Sequence, residues 1–334
     1  MSKTGYDVLG IGNAIVDVLV HTDDEFLAAE NLTKGAMTLI DEDAANALYA
    51  KVGPAVECSG GSAANTIAAL ASLGGKGAFV GTVHDDQLGR VFRHDIRALG
   101  VDFETAPATT GLPTATCIVL VSEDGERTMQ TFLGACGGLG PDDIVEDDIK
   151  AAQVTYMEGY LWDPEGAKQA FLKAAKIAAG AGRMVSLSLS DPFCVERHRQ
   201  DFLGLAENHV DILFANEDEI MSLYQTDSFE DALDHVRGHC KIAALTRSAK
   251  GSVIVSGDQV HEVAAEKNVK VVDTTGAGDA YAAGFLYSLT HDYDLTTAAR
   301  IGGIAAAEVI SHMGARPDVS LEALIGEKLG RSPL

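Results

Sequence analysis

The sequence predicts an α/β protein built on one doubly wound, mostly parallel sheet flanked by helices, with a small second β-sheet attached. Three observations point there. From Gln153 onward, short apolar runs alternate with segments of helical period, the pattern of a parallel sheet covered on both faces. In the N-terminal half, the strand patterns near Val16 and Leu39 and the two hairpin strands stand outside this alternation as a set of β pairs, which suggests a small second sheet. Near the C-terminus, a valine-rich run (269–272) meets Asp273-Thr274-Thr275-Gly276-Ala277-Gly278-Asp279-Ala280 and then a small-residue helix, so strand, tight turn and helix are expected in succession.

The elements follow in order. Residues 6–12 read as a buried strand ending at Gly10-Ile11-Gly12-Asn13. This is a poor dinucleotide fingerprint, because Ile15 stands where a third glycine belongs. Residues 16–20 and 36–40 read as strands, the first carrying Asp17, and 24–30 and 41–51 read as helices with acidic starts. Ser59-Gly60-Gly61-Ser62-Ala63-Ala64-Asn65-Thr66 opens an alanine-rich helix to about Leu73, and Asn65 lies one turn in, able to face the glycine turn. A strand at 78–83 and a helix at 87–99 come next. The strands 114–121 and 127–133 then flank the hairpin turn Ser122-Glu123-Asp124-Gly125-Glu126. Beyond, strands at 154–157, 184–189, 210–214, 242–246 and 252–255 alternate with helices at 164–179, 194–207, 217–224 and 229–238. No repeat or linker interrupts the chain, so residues 1–334 are expected to form one domain. The small sheet comes from insertions within about 13–45 and 105–135 and is expected to lie as a lid over the C-terminal edge of the main strands.

Composition narrows the function. The chain carries a formal charge of −24, which disfavours nucleic acid and anionic membranes as partners. Any bound phosphate must therefore find its positive potential locally. Five widely spaced cysteines without a C-x-x-C pair suit reduced thiols in a cytoplasmic protein. The N-terminus shows no signal-peptide pattern, and the apolar runs are too short to span a bilayer. There is no Walker A loop, protein-kinase glycine loop, H-E-x-x-H, zinc-spaced Cys/His set or Gly-x-Ser-x-Gly elbow.

The chemistry concentrates at 273–280. Gly276 and Gly278 allow a sharp turn and close ligand approach, and the new helix directs free N–H groups and its positive dipole end outward. That is an anion site. Asp279, an acid in its first turn, makes sense as a base that deprotonates a hydroxyl attacking phosphorus, although dipole preference alone also favours Asp there. Asn216 and Glu219, three apart at a helix start, suit Mg²⁺ held with phosphates, and equally suit a capping box. Thr246, Ser248 and Gly251 at the next strand exit suit nucleotide contacts or an ordinary turn. Arg127 on the hairpin could neutralise a phosphoryl group or simply be solvated.

Taken together, these motifs resemble the PfkB, or ribokinase-like, family of carbohydrate and nucleoside kinases. The 273–280 stretch with Gly284-Phe285 resembles its C-terminal signature, and Gly60-Gly61 with Asn65 and the 77–89 stretch resemble its N-terminal one. Asn216-x-x-Glu219 matches its magnesium-associated motif. The resemblance implies a ribokinase-like fold and an ATP-dependent kinase acting on an alcohol group. It implies Asp279 as base, and Gly276, Ala277 and Gly278 as the anion hole. Asp17, Gly61 and Asn65 would line the acceptor pocket. Mg²⁺ would be organised by Asn216 and Glu219, ATP would lie along Thr246, Ser248 and Gly251, and the adenine would sit near the start of the last helix, about 302–306. A monovalent cation such as K⁺ behind the anion hole is also implied. Within the family, Gly10-Ile11-Gly12-Asn13 followed by Asp17 is more similar to adenosine kinases than to ribokinases, which places Asn13 and Asp17 near the ribose, with Arg127 meeting the phosphate. The Gly-Gly-Ser-Ala-Ala-Asn stretch instead resembles the sugar kinases. The expected partners are a nucleoside or sugar and ATP, in a monomer or homodimer.

Overall fold

In the computed structural model, which describes residues 5–330, the chain forms thirteen strands in two sheets. The strands are β1 (Tyr6–Ile11), β2 (Ile15–His21), β3 (Met37–Leu39), β4 (Val56–Gly60), β5 (Gly77–Val80), β6 (Ala115–Val121) and β7 (Arg127–Phe132). They continue with β8 (Ala152–Glu158), β9 (Met184–Ser188), β10 (Ile212–Asn216), β11 (Ile242–Thr246), β12 (Ser252–Ser256) and β13 (Gln259–Val263). The main sheet has the order β13-β12-β11-β10-β9-β8-β1-β5. Its strands β5, β1 and β8 to β11 are parallel, and β12 and β13 add an antiparallel edge. From β1 the chain builds outward to β5 on one side and to β8 on the other. The strand order therefore reverses at the β1–β8 junction, and a crevice opens at their carboxyl ends, where ligands bind in sheets of this kind.

Alternation along the strands splits the core in two. Leu9, Ile11, Leu213 and Ala215 face the helices Glu165–Gly180 and Pro192–Asn208, where Trp162, Phe171 and Phe202 stack. Val8, Ile212 and Phe214 face the helices Ser62–Ser72, Ala277–Thr290 and Leu295–Val309. A period of two on a sheet buried on both faces requires apolar residues at nearly every position, which is what these strands carry.

The small sheet has the order β3-β7-β6-β2-β4. Val18, Val20, Ile118 and Leu120 point to a third core closed by Leu27 and Leu48 from the helices Asp24–Ala29 and Glu42–Tyr49. The opposite face carries Cys117 and Val119, which join the main core. Asp17 lies on that face too, opposite Cys58 on one neighbour and Cys117 on the other. One residue of slip in β2 would bury a valine there and turn Asp17 into the outer core.

Three expectations are corrected. The small sheet draws a strand, β4, from beyond the expected insertions, and β13 is an added edge strand. The valine run at 269–272 is not a strand, because the main sheet ends at β13 and offers it no partner. Instead, Val272 N–H donates to the carbonyl of Ile310 at 2.8 Å, one of the orphan carbonyls at the end of the helix Leu295–Val309. The Asp273 turn is thus entered from a loop that is tied to this second helix.

Candidate active site

The turn at Gly276 depends on its lacking a side chain. Its φ is +77°, and a Cβ would come within 2.5 Å of the Ala315 carbonyl. From this left-handed residue the helix Ala277–Thr290 starts, with Ala280 N–H donating to Gly276 O at 2.8 Å. Ala277 N–H closes the turn onto Thr274 O at 3.3 Å. Gly278 and Asp279 lie in the first turn, where N–H groups have no carbonyl one turn back within the helix. Side chains at Gly278 or Gly314 would meet nothing within 4 Å, so this helix end faces open space. The result is a positive dipole end looking into a cleft.

Asp279 is clamped from the opposite helix. Ser62 Oγ donates to its Oδ1 at 2.6 Å, and Asn65 Nδ2 approaches its Oδ2 at 3.4 Å. Both come from the helix Ser62–Ser72, which starts at Gly61 (φ +95°), packed so closely on the Asn13 carbonyl that no Cβ could be accommodated. Asn13 is held in turn by Glu158 at the end of β8. Its N–H and Nδ2 donate to Glu158 Oε1 at 2.7 and 2.6 Å, while Ala63 N–H donates to Oε2 at 2.6 Å. Glu158 is fully buried and thereby locks the Asn13 loop, the glycine turn and β8 into one unit. This unit sits at the β1–β8 switch point.

The electrostatics follow from burial. Asp279 keeps some exposed surface but lies deep in the cleft, so poor hydration pushes its pKa up to about 6 against the opposing pull of Ser62, Asn65 and Arg316. Asp17 is likewise pushed up to about 6 by burial, with Arg316 and Arg127 lowering it and Asp279 raising it. Glu158 is pushed up to about 7 by burial despite its three donors. A carboxylate with a pKa near 6 is mostly ionised at neutral pH yet remains a competent proton acceptor.

Behind the Gly276 turn, where the resemblance implies a monovalent cation, lies a buried ion pair between Arg127 of β7 and Asp273. Asp273 also accepts from Thr275 N–H (3.0 Å) and Gly314 N–H (2.9 Å). With three donors on it, this carboxylate has little capacity left for a monovalent cation. Arg127 is therefore not a solvated strand charge. It ties the small sheet to the loop that carries the anion-binding turn.

The residues expected beside a nucleotide line up on neighbouring strand ends. Asn216 and Thr246 are directly paired at the carboxyl ends of β10 and β11. Asn216 and Glu219 form a full capping box, with Glu219 N–H on Asn216 Oδ1 (2.8 Å), Asn216 N–H on Glu219 Oε2 (2.9 Å) and Asn216 Nδ2 on Oε1 (2.6 Å). Glu219 is buried, and burial pushes its pKa up to about 7, with Asp191 and Asp218 adding to the rise. Among the described residues no group of three His, Cys, Asp or Glu side chains could hold a metal. The donor set, one underneutralised carboxylate beside an amide, fits Mg²⁺ carried largely by phosphates and water. Ser248 is exposed in a short turn, and Gly251 (φ +93°) closes it against Val263. Arg247 and Lys250 both pair with Glu217, and Arg247 lies 4.0 Å over the Phe229 ring, so their charges are already engaged. The segment 302–306 is not the start of the last helix. It lies inside Leu295–Val309, where Gly302 and Gly284 let two helices touch backbone to backbone.

The structure thus brings Asp279, Asn65, Gly61, Asn13 and Asp17 to one crevice, and sets Asn216, Glu219, Thr246, Ser248 and Gly251 along the strand ends beside it. Tyr160 is hydrogen-bonded to Ser190, and burial raises its hydroxyl pKa, with Asp191, Asp279 and Glu219 adding to the rise. Sequence reasoning missed Ser62, Glu158, Asp273 and Arg316 as parts of the site. Ser62 and Asp273 lie inside the stretches that drew attention, whereas Glu158 and Arg316 carry no local signal.

Residues 31–322 match the profile of the pfkB family carbohydrate kinases. The chain is 32% identical to the ATP-dependent ribose-1-phosphate kinase of Halopiger xanaduensis, with 80% of this chain and 86% of that protein covered. It superposes on a probable sugar kinase from Rhizobium etli with a TM-score of 0.92 at 51% identity, covering 98% of this chain and 99% of the other. It superposes equally on an adenosine kinase from Sinorhizobium meliloti with a TM-score of 0.91 at 51% identity, covering 97% and 99%. No helix among the described residues is long and apolar enough to cross a membrane.

Proposed function

Because the chain belongs to the pfkB family of carbohydrate kinases, and is therefore a phosphotransferase with an alcohol group as acceptor, we propose that it transfers the γ-phosphoryl group of ATP to the 5′-hydroxyl of adenosine. The observation that carries this reading is Asp279, held by Ser62 and Asn65 at an open helix N-terminus in the crevice between the two sheets. The adenosine assignment is supported by the Asn13–Asp17 segment beside that crevice and by the likeness to the S. meliloti adenosine kinase. A free sugar such as ribose or fructose is the second reading. The Gly60–Asn65 stretch and the fructokinases among the relatives favour it, the maize enzyme being 29% identical over 80% of this chain.

The acceptor hydroxyl lies between Asp279 and the γ-phosphorus. Asp279 takes its proton as the oxygen attacks in line and the bond to the β-phosphate oxygen breaks. The first-turn N–H of Gly278, with the Gly276 amide beside it, faces the charge that spreads over the phosphoryl oxygens, while Ala277, expected in the same anion hole, has its N–H on Thr274 O and supports the turn. Arg127, fixed by Asp273 behind the turn, adds positive potential there. Asn13, Asp17, Gly61 and Asn65 hold the acceptor, and Thr246, Ser248 and Gly251 flank the nucleotide. Asn216 and Glu219 would hold Mg²⁺ through its waters, and that ion supplies charge neutralisation of the phosphates when bound.

Asp279→Asn tests the base. It is expected to lower kcat at least about 1,000-fold, as loss of a general base does together with its neighbours' alignment, while leaving ATP binding near the wild-type affinity by calorimetry. Residual turnover within tenfold of wild type would remove Asp279 from the role.

A further inference from the structure

Arg316 lies in the segment after the helix Leu295–Val309, one residue beyond Ala315, which packs on the Gly276 turn, and reaches Asn65 and Ser59. Its Nε donates to Asn65 Oδ1 at 3.1 Å and its Nη1 to Ser59 Oγ at 2.5 Å, with Asp95 Oδ2 3.3 Å away. Ser59 is itself pinned to Asp95, through N–H at 2.8 Å and Oγ at 2.5 Å. The guanidinium is thus anchored by β4 and by the helix Gln87–Ala98 before it touches Asn65. Its Nη2 is buried and has no hydrogen-bond partner among the described residues, which leaves two N–H groups for acceptor oxygens.

We infer that Arg316 is a positioning residue of the transfer site, orienting the Asn65 amide and through it the Asp279 carboxylate. The inference rests on the reading of Asp279 as the base. An amide has one acceptor and one donor end. Arg316 occupies the acceptor end of Asn65, so the donor end must turn to Asp279. Without Arg316, Asn65 is free to rotate its oxygen toward the carboxylate, which would repel it.

The same guanidinium also sets the charge balance. The groups facing Asp279 are Ser62 and Asn65 from their helix, Asp17 from β2, Tyr156 and Glu158 from β8, Tyr160 just beyond, and Arg316. Burial favours the protonated form of Asp279; the hydrogen bonds from Ser62 and Asn65 oppose it, and Arg316 is the cation that does so. A protonated Asp279 cannot accept the hydroxyl proton. The acidic limb of the pH profile therefore follows its pKa, and loss of Arg316 moves that limb to higher pH.

The test uses the full chain with MgATP and adenosine, ribose or fructose, whichever acceptor the wild-type enzyme turns over fastest. Arg316→Gln is expected to raise the acidic limb of kcat/KM by about one pH unit and to lower kcat about tenfold, with the KM for ATP unchanged. Arg316→Lys keeps the charge but cannot reach Asn65 and Ser59 together, so it restores the limb while kcat stays low. Asp95→Asn loosens the anchor only and is expected to leave the limb in place. An unmoved limb in Arg316→Gln, or an equal shift in Asp95→Asn, would overturn the inference and reduce Arg316 to a staple between surface elements. If Arg316→Gln does not fold, Arg316→Lys carries the test, and a wild-type kcat in that variant overturns it. Turnover that survives in Asp279→Asn would instead defeat the base assignment, so the two failures are distinguishable.

Discussion

At the residue scale, the site is organised by carboxylates whose partners differ. Asp279 and Asp17 are left underneutralised in a cleft, while Asp273 is saturated by Arg127 and two backbone donors. In the proposed reading the first two handle protons and hydroxyls, and the third holds the turn. Removing one partner of a buried ion pair strands the other charge, which costs about 3–5 kcal/mol. Arg127→Met is therefore expected to lower the unfolding free energy by about that amount in denaturant titrations, and to lower kcat by loosening the turn at Gly276. A change under about 0.5 kcal/mol would mean that the pair is not formed in solution.

At the element scale, two helix starts carry the chemistry and were legible for different reasons. The Gly276 turn announced itself through local chemistry, because glycines and an acid at a helix start form a dense signal. The Asn216–Glu219 box was legible only as an ambiguity: all three capping hydrogen bonds form, and the proposed metal-organising role would use the same atoms. Glu219→Gln separates them. A Gln keeps the acceptor for Asn216 N–H but gives up the bond from Asn216 Nδ2, so stability is expected to fall by no more than about 1 kcal/mol while half-saturating Mg²⁺ rises about tenfold. Unchanged Mg²⁺ dependence would leave only the cap. The strand expected at 269–272 failed because β-branched composition reports local preference, whereas strand formation needs a free sheet edge. The strand β4 was overlooked because Val56, Glu57 and Cys58 are partly exposed and show no clean alternation. Glu158 and Arg316 were invisible for a related reason: each acts through residues far away in sequence, and only the packing of β8 and the C-terminal segment on the Ser62 helix brings them into the site.

At the scale of the whole molecule, a phosphotransferase of charge −24 must keep its positive potential local. The helix dipole at Gly278, Arg127 behind the turn and Arg316 beside Asn65 are set at fixed points, each braced by an acid or a cap. The two sheets divide the labour. The main sheet aligns Asn216 and Thr246, the proposed nucleotide-side residues, on its strand ends, and the inner face of the small sheet carries Asp17, proposed for the acceptor side. The doubly wound body was readable from the alternation of strand and helix. How the small sheet docks was not, since it depends on which face of β2 and β6 turns inward. The central claim is the identity of the acceptor, and the most direct measurement is kcat/KM for adenosine, ribose, fructose and ribose 1-phosphate with saturating MgATP. The account predicts that adenosine exceeds each of the others by at least about 100-fold, the discrimination expected when an acceptor fills the contacts its competitors lack. A free or phosphorylated sugar turned over faster than adenosine would contradict it.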